Sequence, residues 1–181
     1  MNILIFGVQG SGKSTVGKYV AKKLNIPFIA VGDIFRRLRE EKSELGNLVK
    51  KMIDQGMLVP DKPTMRIVNK RLEENDVQGG FLLDGAPRNL HQVEMFEKSL
   101  DLLVLVELIE KEAVARLFNR GRIDDTKEKI ATRISWYRDQ TEPVISFYRD
   151  KDVKIVKVDN SPSEETVRKK LDVLLEEFKR N

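Results

Sequence analysis

Asn2-Ile3-Leu4-Ile5-Phe6, followed by Gly7-Val8-Gln9-Gly10-Ser11-Gly12-Lys13-Ser14, decides the fold. The first five residues read as a buried strand, and a helical pattern runs over about Lys13–Leu24. The eight residues between fit G-x-x-x-x-G-K-[ST]. Glycines at 7, 10 and 12 let the backbone turn tightly, so that its N–H groups converge on a phosphate. The helix N-terminus adds partial positive charge, and Lys13 neutralises the β- and γ-oxygens. Ser14 or Thr15 supplies a hydroxyl near a magnesium ion. A strand before the motif and a helix after it are what nucleoside triphosphate binding requires.

Outward from this loop, short apolar runs at Phe28–Val31, Phe81–Asp84, Leu102–Glu107 and Lys154–Val158 alternate with helical patterns. Those patterns cover Lys111–Asn119, Thr126–Tyr148 and Glu164–Lys179. Near-continuous apolar strands separated by helices predict a parallel sheet covered on both faces. The expected fold is a doubly wound five-stranded α/β P-loop domain. Asp33–Asn75 holds three helical patterns and no strand, which predicts a helical excursion between the second and third strands. A single domain then spans 1–181, with its core at 1–30 and 76–181 and an insertion at 31–75.

Composition narrows the chemistry. The 181 residues hold 40% hydrophobic and 34% charged side chains, enough for a core under a solvated surface, and not the make-up of a disordered chain. With no cysteine and one histidine, His91, neither a disulfide framework nor a Cys/His zinc site can be built, so zinc is not expected. The net charge of +4 comes without a basic tract, so nucleic acid is not an expected partner. No apolar run approaches a membrane span, and the N-terminus lacks signal-peptide character, so the expected compartment is the cytoplasm. The sequence leaves monomer or homo-oligomer open.

Phosphoryl transfer between two anions needs cations on both sides of the group in flight. Arg36 follows the second strand, Arg88 the third, and Arg116, Arg120, Arg122 and Arg133 the fourth. Ligands of open parallel sheets bind at the carboxyl ends of the strands, so these arginines can converge on one cleft. Asp84, at the same edge, can hold water on a magnesium ion carried with the triphosphate. Taken singly, Arg116 and Arg133 also fit a solvated helix face. Asp125 also fits a helix N-cap, with Glu128 completing a capping box.

Gly7–Ser14, Gly32-Asp33…Arg36, Gly80-Phe81-Leu82-Leu83-Asp84-Gly85-Ala86-Pro87-Arg88 and Gly121-Arg122-Ile123-Asp124-Asp125 together resemble the adenylate kinases, within the nucleoside monophosphate kinases. The resemblance covers nearly the whole chain and implies MgATP + AMP ⇌ 2 ADP. It implies that Gly7, Gly10, Ser11, Gly12, Lys13, Ser14 and Thr15 bind ATP and that Arg116 packs on its adenine. Asp84, through water, and Ser14 would serve the magnesium ion. Lys13, Arg88, Arg120, Arg122 and Arg133 would be catalytic. The AMP site would take Val31, Gly32, Arg36, Met57, Val59, Gly85, Arg88 and Gln92, with the insertion closing over it. Gln92 would read the adenine edge, since an amide both donates and accepts; the bland alternative is an exposed helix residue.

The chain departs from the family pattern at Ser14, at Val31 (which removes a hydroxyl from the AMP pocket) and at Ala86 (which leaves room beside the monophosphate). Val31 and Ala86, with Asn89, keep CMP or UMP open as acceptors, and a P-loop switch ATPase is a more distant reading. The lid departs furthest. Long adenylate kinases insert roughly thirty residues or more between the positions of Arg120 and Arg122, where only Gly121 stands here. The rudimentary lid, residues 120–125, leaves the helix ends carrying Arg120 and Arg122 to close over ATP. Weaker exclusion of water predicts ATP hydrolysis above background without any acceptor, or looser ATP binding; the alternative is a partner chain that covers the site. A coupled ADP-release assay on the purified protein checks this.

Overall fold

The central strand of the sheet comes first. β1 (Asn2–Phe6) pairs in parallel with β3 (Phe81–Asp84) on one side and β4 (Leu102–Glu107) on the other. β2 (Phe28–Ala30) extends the sheet beyond β3, and β5 (Lys154–Asp159) beyond β4. The order is β2-β3-β1-β4-β5, all parallel. The structure, a computed structural model, describes residues 1–55, 57–120 and 126–180, the side chains of 120 and 177–180 excepted.

Alternation along the strands divides the core between the two faces of the sheet. Leu4, Phe6, Ile29, Phe81, Leu83 and Leu103 join one cluster. Ile3, Ile5, Leu82, Leu102, Val104 and Val106 join the other, beneath α1 (Lys13–Leu24) and α9 (Glu164–Arg180). Both faces being covered explains why the strands read as continuous apolar runs rather than as alternating ones.

Between β2 and β3 the chain forms α2 (Val31–Leu38), α3 (Glu44–Asp54) and α4 (Asp61–Arg71), then a 3-10 turn at Asn75–Val77. Ser43 caps α3, its side chain accepting from the Gly46 N–H. The run expected to be strand through Val31 ends at Ala30 instead. Val31 opens α2 and is wholly buried, because the main chain turns at the sheet edge and carries its side chain into the core.

After β3 come a short helix α5 (Leu90–Glu94), β4 and α6 (Glu110–Arg120). The helical pattern read as continuous over Thr126–Tyr148 is divided. α7 (Lys127–Trp136) passes through a π-helical turn, Tyr137–Thr141, into α8 (Glu142–Asp150). Pro143 supplies the reason: it has no N–H, and its ring crowds the carbonyl four residues back, which the wider turn relieves. Thr126, not Asp125, is the N-cap of α7, accepting from the Lys129 N–H at 3.3 Å. Asp125 itself lies outside the described residues. Among the described residues no helix is long and apolar enough to cross a membrane.

Leu83 is fully buried in the central sheet. Leu83→Ala is expected to lower unfolding stability by about 2–5 kcal/mol through lost burial and a residual cavity, measured by urea denaturation.

Candidate active site

The loop after β1 is shaped by what surrounds it. Gly10 and Gly12 have φ of +90° and +88°, a region open to glycine at little cost. A Cβ on Gly10 would run into the Ala113 carbonyl of α6, and one on Gly12 into the Asn160 side chain. Gly7 leaves room for the Ser11 hydroxyl, which is buried and has no hydrogen-bond partner. The Ser11 N–H closes the loop on the Val8 carbonyl at 3.0 Å, and Lys13 Nζ donates to the same oxygen at 3.3 Å. α1 starts at Lys13 with no acidic residue in its own first turn, so no side chain of that turn offsets the positive end of its dipole. Thr15 lies in that turn, its N–H donating to the Gly12 carbonyl.

Asn160, just past β5, ties the loop to the far side of the sheet. Its Nδ2 donates to the Ser11 carbonyl at 2.6 Å, while its own carbonyl accepts from Arg116 Nη2 at 2.9 Å. Arg116 therefore lies beside Gly12, as an exposed cation on α6. Sequence reading missed Asn160, because a polar residue after a strand looks like any turn.

Parallel register sets Asp84 opposite Ile5, level with the start of the loop. Ser14 Oγ donates to Asp84 Oδ2 at 2.8 Å, joining the first turn of α1 to the end of β3. Four residues on, the Arg88 guanidinium bends back so that Nε donates to the Gly85 carbonyl at 2.7 Å. Burial pulls its pKa below the ordinary arginine value; neighbouring Arg133 on α7 pulls the same way and Asp84 opposes. Ser14, Asp84, Arg88 and Arg133 thus share one locality. Thr141, in the π turn, donates its hydroxyl to the Arg88 carbonyl at 2.9 Å. A regular helix through this segment would present a different face, so no periodicity in the sequence pointed to Thr141.

The remaining candidates lie along the insertion and α5. Val31 packs next to Gly85, whose Cβ, if present, would sit 3.6 Å from it and 3.3 Å from Arg88 Nη2. Gly32 faces the Arg36 guanidinium, which is ion-paired with Asp33. Val59 is buried, whereas Met57 is exposed and is not drawn into the cluster. Ala86 is buried in the same core cluster as Val31.

Gln92 is not an exposed helix residue: only 4% of it is accessible. Its Oε1 accepts from the Arg88 N–H at 2.8 Å, and its Nε2 donates to Asp61 Oδ1 at 2.6 Å. Asn89 caps α5 by accepting from the Gln92 N–H at 2.7 Å and donates to both Asp61 oxygens at 3.1 Å, which accounts for its residue type. His91, largely exposed, meets Asp61 Oδ2 at 3.1 Å. Asp61 was another residue the sequence did not single out, since an aspartate opening a helix is ordinary. Arg120 ends α6, its side chain not described, and Arg122 with the rest of the lid turn lies outside the described residues.

Comparison with known proteins bears on this arrangement. The adenylate kinase family profile matches residues 5–153. The chain belongs to the adenylate kinase family. Its relatives include an adenylate kinase of Kocuria rhizophila, 38% identical over 96% of this chain and 98% of that protein. Another, from Thermobifida fusca, is 40% identical over 96% and 98%. A third, from Corynebacterium glutamicum strain R, is 41% identical over 86% and 90%. As an adenylate kinase family member the chain is a nucleoside monophosphate kinase, a phosphotransferase.

Within this adenylate kinase fold Asp61 has a definite electrostatic state. Burial pushes its carboxyl pKa up, but hydrogen bonds from Gln92, His91 and Asn89 outweigh that and hold it below the usual value. A depressed pKa means stability that is present at neutral pH and lost as protons bind the folded state. The stability difference between wild type and Asp61→Asn, measured by urea unfolding, is expected to be fully present where the carboxyl is ionised in both the folded and the unfolded chain. It should shrink as pH falls below about 4.

Proposed function

We propose that the chain transfers the γ-phosphoryl group of MgATP to AMP, reversibly, giving two ADP. One observation carries the reading. Asp84 binds the P-loop through Ser14, while the turn that follows it delivers Arg88 and the buried amide of Gln92. A triphosphate side and an acceptor side therefore meet across four residues of chain.

On the donor side, the P-loop N–H groups and Lys13 hold the phosphates, and Arg116 lies where it can pack on the donor base. The magnesium ion that accompanies ATP fits the oxygens at hand: the Ser14 hydroxyl and the Asp84 carboxylate, hard donors 2.8 Å apart. Ser14 would touch the ion and Asp84 would hold it through water; when bound, it offsets negative charge on the phosphate oxygens.

On the acceptor side, Arg36 and Arg88 bind the AMP phosphate, and the insertion, residues 31–75, closes over the nucleotide. Val31, Gly32, Val59 and Gly85 wall the base and Gln92 reads it, while Met57 approaches only on closure. An AMP phosphate oxygen attacks the γ-phosphorus as the bond to the β–γ bridging oxygen breaks, and ADP leaves. The nucleophile is already an anion, so no side chain need remove a proton. Lys13, Arg88, Arg133, Arg120 and Arg122 stabilise the equatorial oxygens in flight. With so few residues between Arg120 and Arg122, water exclusion falls to the segment that carries these arginines. Free nucleotides are the substrates, and the cytoplasm is the setting that supplies them.

Purified protein with MgATP, tested with AMP, CMP, UMP, GMP and dTMP in turn and without acceptor, should give fast ADP formation with AMP. Hydrolysis indifferent to every monophosphate would reject the proposal. Arg88→Ala is expected to lower kcat by at least about a hundredfold while the dissociation constant for ATP changes little; transfer near the wild-type rate would remove Arg88 from the acceptor site.

A further inference from the structure

Asp61 belongs to the insertion, at the first turn of α4, yet its carboxylate bonds outside its own helix. The residue before it, Pro60, is the N-cap, and no side chain caps α4. The partners of Asp61 are Asn89, His91 and Gln92, all on or beside α5. The shortest contact, 2.6 Å, runs from Gln92 Nε2.

A glutamine amide has two nearly equivalent settings, related by exchange of its oxygen and nitrogen, and only its partners select one. Here the partners are unambiguous. A carboxylate can only accept, so it takes the nitrogen; the Arg88 main-chain N–H can only donate, so it takes the oxygen. The reversed setting would put Oε1 against the Asp61 carboxylate and Nε2 against an N–H. With both restraints satisfied, Gln92 retains one lone pair on Oε1 and one hydrogen on Nε2, in a fixed order.

That order distinguishes two kinds of base. Adenine offers an amino donor at C6 and a ring acceptor at N1, matching a free oxygen and a free N–H. Hypoxanthine and guanine offer an oxo acceptor at C6 and an N1–H donor, the same pair reversed. We propose that Asp61 is a specificity-determining positioning residue: by fixing the Gln92 amide it selects 6-amino over 6-oxo purine monophosphates as acceptors. This rests on the assignment of Gln92 to the acceptor base under Proposed function.

IMP is the appropriate probe, because its base differs from adenine at the 6-position and in the N1 proton while the rest of the purine is kept. kcat/KM for AMP and for IMP is measured with saturating MgATP on wild type, Asp61→Asn and Asp61→Ala. Asparagine keeps the shape but offers Gln92 either an oxygen or an N–H; alanine offers neither. Wild type is expected to prefer AMP strongly. Both variants should lower the AMP-to-IMP ratio by about tenfold or more, the worth of a charge-assisted hydrogen bond, with KM for ATP unchanged. AMP and IMP falling in equal proportion would mean that Asp61 only braces the insertion, and would overturn the proposal. A wild-type enzyme indifferent to the two bases would overturn it as well. No turnover of AMP by wild type would instead reject the acceptor assignment on which it rests.

Discussion

The pairing of β1 with two neighbours at once is the constraint on which the rest of the structure depends. Its register puts Ile5 beside Asp84 on one side and Phe6 beside Leu105 on the other. Side chains alternate faces along a strand, so a one-residue slip would exchange the two core clusters. It would also carry Asp84 away from Ser14. The hydrophobic effect, acting through residues such as Ile3, Leu4 and Leu83, thereby sets the distance between a hydroxyl and a carboxylate that contribute nothing to the core. The chain leaves β1 toward β2 and leaves β4 toward β5, so the crevice between those departures is where the loops gather.

Around that crevice the main chain supplies much of the positioning. The P-loop is bounded by the Ala113 carbonyl and the Asn160 side chain, Arg88 is fastened at its guanidinium by the Gly85 carbonyl and at its own carbonyl by Thr141, and Gln92 is held partly by an N–H. Backbone groups keep their polarity whatever the sequence, so such restraints depend on fold more than on residue type. Side chains enter where sign matters, as with Asp84 and Asp61, whose carboxylates can accept but not donate.

Much of this was legible beforehand, for physical reasons. Strands buried on both faces read as apolar runs, so all five strands were found and only their ends shifted, as at Val31 and Asp159. The phosphate loop was visible because each of its residues answers a local demand of a tight turn. Contacts between distant segments were hidden: Asn160 to Ser11, Thr141 to Arg88 and Asp61 to Gln92 span 149, 53 and 31 positions. Each involves a residue type common at turns and helix ends, so nothing local marks it. The π turn escaped notice because a break in helical phase by one residue leaves both flanking patterns intact.

The outer strand β5 carries one more consequence. An edge strand presents unpaired N–H and C=O groups on which another chain can build. On this one Lys154, Lys157 and Asp159 are exposed, and Lys157 is paired with Glu107 of the adjoining strand. Any strand adding there would have to desolvate those charges. The same alternation that sinks Val158 into the core turns Lys157 and Asp159 outward, and so guards this edge of the sheet against another strand.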